Sequence, residues 1–403
     1  MEHPVVYRYR WVVLLVFALL NIVLQVHWVA FAPITSEAAA FYAVEPFSIA
    51  FLALLFLVLY IVAGLPASYV LDTFGLRVGV GAGAVLMAGA ALLKALWPGD
   101  FTVVVVAQVG FALAQPFVLN AYTRLSSQWF PAREHATATG LASLAQYVGF
   151  VVAMGLTPPL TSALGLPGML RVYGVATVAC VAAFLVLFRE HPPTPPSHFD
   201  EEPRLGVWAG LRHLLRQRQM LVLIFVFFMG IGIFNAVSTW IEELLAPRGF
   251  TSGQVGAAGA VMMIAGILGA LIVPPLSDRN RRRVPYLIGC TALTVPGLVG
   301  FAYAASFPGL LAASFVLGFG ILSAGPIGFE YGAELSHPAP ESTAQGVLLI
   351  GGQISGIIFI FGMDALRSAT GTMQPFMVFF VLAAVLNTLM GFMLREAPAT
   401  RER

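Results

Sequence analysis

The chain has 403 residues, 59% of them hydrophobic and only 10% charged, which is more apolar surface than one soluble core of this length can bury. Its net charge of +2, with arginines scattered over many short gaps, offers no basic surface for nucleic acid. The two cysteines, Cys180 and Cys290, lie inside apolar runs and suggest neither a disulfide framework nor a metal site, so lipid is the expected solvent and no cofactor is expected.

Twelve apolar runs divide the sequence. A helix needs about 20 apolar residues to cross a hydrocarbon core of roughly 30 Å, and backbone groups unpaired in lipid exclude other open structures. The runs therefore read as membrane helices over 10–34, 46–71, 76–97, 101–122, 135–161, 168–188, 219–246, 252–276, 284–304, 308–334, 342–365 and 374–394, an all-α membrane protein. The first run is too long for a signal-peptide core and has no cleavage site, so it counts as span one. Of the 21 Lys and Arg, 17 lie near the termini or in gaps after even-numbered spans; the exceptions are Lys94, Arg171, Arg248 and Arg367. Cationic gaps stay in the cytoplasm, which places both ends of the chain inside, in the cell's inner (plasma) membrane.

In span one, Asn21, Gln25 and Trp28 are spaced four and three apart and share a helix face. Trp28 is open to two readings, an indole face that holds an organic cation or an aromatic anchor at the membrane boundary. His27 points about 100° away and reads as a packing or boundary residue. After span two, Ser68-x-x-x-Asp72-x-x-Gly75-x-Arg77 puts a carboxylate at a membrane boundary. Paired there, it would form a latch that opens as two halves rock apart; otherwise Asp72 merely begins a solvated loop. Span four carries Gln108, Gln115 and Asn120 and span five Gln146, neutral amides that can bond a substrate's hydroxyl or carbonyl or else a neighbouring helix.

The longest polar stretch, Arg189 to Gln219, separates two sets of six spans, giving a first half 1–188, a linker 189–218 and a second half 219–403. HPPTPP at His191 to Pro196 reads as extended chain, and Trp208 to Gln219 as a short helix on the inner surface. Span seven then brings Phe234 and Asn235, and Pro274-x-x-x-Asp278-Arg279 repeats the earlier loop in weaker form. The loop from Glu330 to Ser342 breaks the charge rule, with Glu330, Glu334 and Glu341 and no cation; Glu330 and Glu334, one turn apart, can face one arginine. Span eleven carries Gln345 and Gln353. Forty glycines and 26 prolines, many inside spans, suit closely packed and locally broken helices.

No Asp or Glu falls at mid-span, and a proton-driven pump needs such a group, so facilitated diffusion is the expected mode. Two other readings stay open, a proton-coupled exporter of an amphipathic metabolite, drug or porphyrin and a membrane sensor that transports nothing. No HExxH, GxSxG or Cys–His spacing supports an enzyme.

Six plus six spans joined by a cytoplasmic connector resemble the major facilitator superfamily. Within it, PIGFEYGAELSHPAPESTAQGVLLIGGQISGIIF from Pro326 to Phe359 resembles the feline leukaemia virus subgroup C receptor-related transporters and their bacterial relatives. Further matches are RWVVLLVFALLN at Arg10–Asn21, the Trp28 region, PASYVLDTFGLR at Pro66–Arg77, Lys94, and AQPFVLNAYTRLSSQWF at Ala114–Phe130. The resemblance implies movement of choline or ethanolamine down a gradient, with haem export for some members. It also implies an ammonium cage from a helix-one tryptophan, here Trp28, with Gln146 in SLAQYVGF and Gln353 in GGQISG. Where relatives tend to have neighbouring aromatics in helix seven, this chain has Phe234 followed by Asn235.

The combined expectation is an alternating-access transporter with a midplane site of Trp28, Gln146, Asn235 and Gln353, lined also by Phe234, Gln115 and Asn120. Its inner gate would use Asp72 with Arg77, Asp278 with Arg279, and Glu330 with Glu334. The expected partners are a small solute and the lipid bilayer, and a monomer is expected.

Overall fold

A computed structural model describes residues 7–131, 135–193, 207–280, 282–336, 339 and 341–396; a few helix side chains, Asp72 and Asp278 among them, also lie outside the description. The described regular structure is helical, and it falls into two compact units, Met1–Glu201 and Glu202–Arg403.

The first unit contains α1 (Arg10–Val29), α2 (Thr35–Tyr42), α3 (Pro46–Phe74), α4 (Leu76–Leu96), α5 (Phe101–Leu119), α6 (Tyr122–Trp129) and α7 (His135–Leu187). Helix α1 lies along α7, α4 packs on α5 and α7, and α3 packs on α5. The second unit contains α8 (Val207–Leu214), α9 (Arg218–Thr239), α10 (Ile241–Leu245), α11 (Ser252–Asn280), α12 (Val284–Tyr303), α13 (Phe307–Ser336), α14 (Glu341–Thr370) and α15 (Gln374–Gly391). There α13 packs between α11 and α12, α9 on α14, and α12 on α15.

Among the described residues, eleven helical segments are long and apolar enough to cross a membrane, and one of them, Ala138–Leu187, is two helices joined by a kink, which brings the crossings to the expected twelve. The kink is at Gly165, whose φ of 69° suits a residue without Cβ, and Pro167 then opens the next helix with a ready-made φ. Spans five and six are therefore joined by a sharp bend instead of a loop. Outward faces carry Val175, Val186 and Leu382, each more than half exposed, a surface that only lipid solvates well.

Three expected spans are interrupted. Span one was read as unbroken to residue 34, but α1 stops at Val29 and a 3₁₀ turn, Ala32–Ile34, leads into α2; Pro33 has no N–H to continue the ladder. Span four ends at Leu119 instead of residue 122, after Pro116, and the chain turns into α6. Span seven, expected to reach residue 246, stops at Thr239, where Trp240 turns the backbone into α10. The surface helix expected over Trp208 to Gln219 is shorter, at Val207–Leu214.

Candidate functional site

Trp28 sits in the last turn of α1, partly buried, with its ring stacked on Phe56 of α3 at 5.6 Å and 15° and edge-on to Phe150 of α7 at 5.4 Å. Its indole N–H donates to the Ala53 carbonyl at 3.1 Å. That bond takes up the ring's one donor and leaves the part of its π surface not stacked on Phe56 as the chemistry still on offer, which suits a cation rather than a hydrogen-bond acceptor. Asn21 and Gln25 share this side of α1, as their spacing implies. Asn21 Nδ2 donates to Tyr122 and to the Ala142 carbonyl, and Gln25 Nε2 donates to Asn21 Oδ1 at 3.0 Å. Gln25 Oε1 is buried without a partner among the described residues. The helices can come this close because position 149 is glycine: a Cβ there would meet Ile22 O at 2.5 Å and Gln25 Cβ at 2.7 Å. Gln146, one turn before Phe150 on α7, is partly buried.

The two amides expected to line the same cavity part company. Gln115 is buried, with Oε1 unpartnered among the described residues. Asn120 instead ties α5 to α3: Tyr60 donates to its Oδ1 at 2.9 Å, and its Nδ2 donates to the Gly64 carbonyl at 3.0 Å. The reason is the end of α5 just before it, which turns the amide toward α3.

In the second unit α9 and α14 meet through small residues; a Cβ on Gly232 would strike Ser355, and one on Gly352 would meet Ile231 at 2.6 Å. Asn235 and Gln353 therefore stand on adjacent, closely packed helices. Asn235 Nδ2 and Gln353 Oε1 are both buried without partners among the described residues, and so is Ser238 Oγ. Ser238 was missed in the sequence, although it follows Asn235 at helical spacing. Phe234 precedes them, partly buried. Leaving such groups unsatisfied costs about 1–3 kcal/mol each, so three of them on two packed helices are unusual unless something visits them.

At the expected inner ends, the side chains of Asp72 and Asp278 lie outside the description. Arg77 and Arg279 are exposed. What the structure supplies instead is a pair of carboxylates that the sequence reading passed over. Glu190 accepts from the Leu76 N–H at 2.7 Å and from the Arg77 N–H, the first two amides of α4. Glu396 accepts from the Arg283 and Val284 N–H groups at 3.0 and 3.1 Å, where α12 starts. The signal was present as Arg189-Glu190 and Arg395-Glu396, each directly after the last apolar span of a half. Gly75 has φ 89° at the first of these junctions, and a Cβ there would collide with the Glu190 carboxyl.

Glu334 pairs with Arg283 at 3.1 Å, both side chains largely buried, so the acidic stretch of α13 engages an arginine at the start of α12. Glu330 also has an interaction partner. At the other end of the second unit, Arg367 binds Glu243 at 2.8 Å and lies over the Trp240 ring at 5.4 Å. Among the described residues no group of three or more His, Cys, Asp or Glu is placed to hold a metal ion.

A model of the Major Facilitator Superfamily matches residues 12–360. The chain is similar to Solute carrier family 49 member A3 of Danio rerio, 35% identical over 91% of this chain and 80% of that protein. It is similar also to the Choline/ethanolamine transporter FLVCR2 of Homo sapiens, 28% identical over 98% of this chain and 80% of that protein. Among solved structures, a bacterial homologue of the human lysosomal transporter Spinster matches with a TM-score of 0.73 at 15% identity, covering 98% of this chain and 97% of that one. At such identity the likeness shows the fold alone.

Proposed function

The chain belongs to the major facilitator superfamily, and from that premise we propose that it carries a small organic cation such as choline or ethanolamine down its gradient by alternating access. That it is a multi-pass membrane transporter follows from the family; the substrate and the mode are our reading. Trp28 is assigned to the ammonium group, and Gln146, Asn235 and Gln353 to the hydroxyl end. Phe234 and Gln115 are further lining residues. The reading includes both termini in the cytoplasm, an inner-membrane location and a monomer.

The observation that carries it is the fixed indole of Trp28. Its N–H is taken up by Ala53, and Phe56 and Phe150 hold the ring, so it can offer a ligand only an electron-rich face. A quaternary ammonium is the small cation that needs nothing else there. The names of the similar FLVCR2 proteins point the same way.

The test is uptake of radiolabelled choline into proteoliposomes containing wild type, Trp28→Phe or Trp28→Ala. Saturable uptake in the wild type, weakened in Trp28→Phe and lost in Trp28→Ala, is the expected result. No choline flux through protein shown to be folded would reject the substrate while leaving the transporter assignment intact.

A further inference from the structure

Near the end of α1 lies a fully buried lysine amine. Lys94, near the end of α4, has no exposed surface, and among the described residues no carboxylate stands within ion-pair distance of it. Its Nζ donates to Gln108 Oε1 of α5 and sits over the rings of Phe111 at 5.0 Å and Phe31 at 5.6 Å. Gln108 in turn donates its Nε2 to the His27 carbonyl at 2.9 Å.

That carbonyl belongs to the last turn of α1, where the helix leaves its own C=O groups without regular partners and where the aligned peptide dipoles concentrate negative charge. The helix end thus does for Lys94 part of what a carboxylate would do, with Gln108 as the link. The same link fixes the residue next to Trp28. The break in α1 follows immediately, before the 3₁₀ turn at Ala32–Ile34.

The titratable neighbours are few. From α1, His27 stacks on Phe111 at 3.9 Å and shares a hydrogen bond of 3.0 Å with Thr177 of α7. From α7, Tyr173 lies edge-on to His27 at 6.2 Å and bonds Thr157. From α5 the cluster receives only Gln108 and Phe111. Lys94 is therefore the group in the cluster whose charge most directly meets the end of α1.

We propose that Lys94 is a positioning residue for transport: through Gln108 its ammonium holds the end of α1 and with it Trp28, so that the cationic substrate binds tightly only while Lys94 is protonated. A neutral amine loses its attraction to the helix end and to both rings, and the last turn of α1 is then free to shift. The inference rests on the reading of Trp28 as the ammonium-binding face, and it requires that positioning outweigh the repulsion between the two cations. Affinity falls as pH rises.

Choline suits the test because its charge does not titrate. Uptake is measured in proteoliposomes with equal pH on both sides, from mildly acid to mildly alkaline buffer, for wild type, Lys94→Arg, Lys94→Met and Gln108→Leu. In the wild type the apparent KM should rise about tenfold across the range, within the usual span of coupling between linked sites, with little change in maximal rate. Lys94→Arg should keep the low KM throughout, and Lys94→Met and Gln108→Leu should show the high KM throughout. A flat wild-type profile, or a pH dependence that persists in Lys94→Arg, overturns the proposal. If choline is not carried at all, the substrate reading falls separately, and hydrogen exchange on the substrate-free protein decides about Lys94. Residues 26–34 should exchange about tenfold faster in Lys94→Met than in Lys94→Arg, a ratio in the range of such couplings, and equal rates would reject the role.

Discussion

Glu190 and Glu396 perform one task in two places: each follows the last apolar span of its half and accepts hydrogen bonds from the opening amides of an earlier helix. Glu190 lies 114 and 113 residues after its two donors, Leu76 and Arg77, and Glu396 lies 113 and 112 residues after Arg283 and Val284. Spacing that agrees to within a residue, with the same bonding, marks an internal repeat that residue identity shows only faintly. In each half it closes the final span back onto the third. Aromatic donors reinforce both junctions, Trp129 to the Glu190 carbonyl at 3.2 Å and Tyr331 to the Arg395 carbonyl at 2.6 Å.

The two carboxylates should therefore contribute alike. Glu190→Gln and Glu396→Gln each replace a charged acceptor at a helix N-terminus by a neutral one, and each should cost about 1 kcal/mol. The lower thermal midpoint in detergent is the readout, and the double variant should show the sum because the two sites belong to separate compact units. A melting curve unchanged in either single variant would remove that carboxylate from the account.

The Arg283–Glu334 pair is buried enough that losing one partner leaves the other charge uncompensated. Glu334→Gln and Arg283→Gln should each lower the melting midpoint, and the double variant should fall short of their sum, with a coupling of about 1–3 kcal/mol. Strict additivity would show that the two side chains do not depend on each other.

Gly149 sets the spacing of α1 and α7 beside Trp28. Gly149→Val must push the Ile22 backbone away and should cost about 1–3 kcal/mol as overpacking. Uptake should fall further than the loss of folded protein explains, since α1 carries the Trp28 ring out of register with Phe150. Equal specific activity per folded molecule would argue against that coupling.

Asn235 and Gln353 lead to an opposite pair of effects. Removing a buried group that has no partner tends to stabilise the empty protein, so Asn235→Leu should raise the melting midpoint by the equivalent of about 1 kcal/mol. The same change should weaken choline or ethanolamine binding about tenfold, the loss of one good hydrogen bond. A variant that is both more stable and fully active would take Asn235 out of the site.

The sequence by itself determined the solvent and the number of crossings. Apolar run length and the distribution of arginine depend on each residue's own transfer free energy, so they can be read without knowing any neighbour. It also picked out Trp28, Asn235 and Gln353, because a polar or amphipathic side chain inside hydrocarbon stands out against its surroundings.

What only the tertiary structure decided is which of those side chains already have partners. Asn120 looked like Gln115 in the sequence, yet Tyr60 and Gly64 claim it, while Gln115 keeps an acceptor with no partner among the described residues. Glu190 and Glu396 looked like ordinary loop acids until the fold brought distant helix starts to them. Lys94 appeared to be one cation on the sparse side of the charge count, and it became a buried ammonium only when α1, α4 and α5 closed around it. Hydrogen bonding and desolvation depend on atoms far apart in the chain, whereas hydropathy is local, and that difference divides what the sequence decides from what the fold adds.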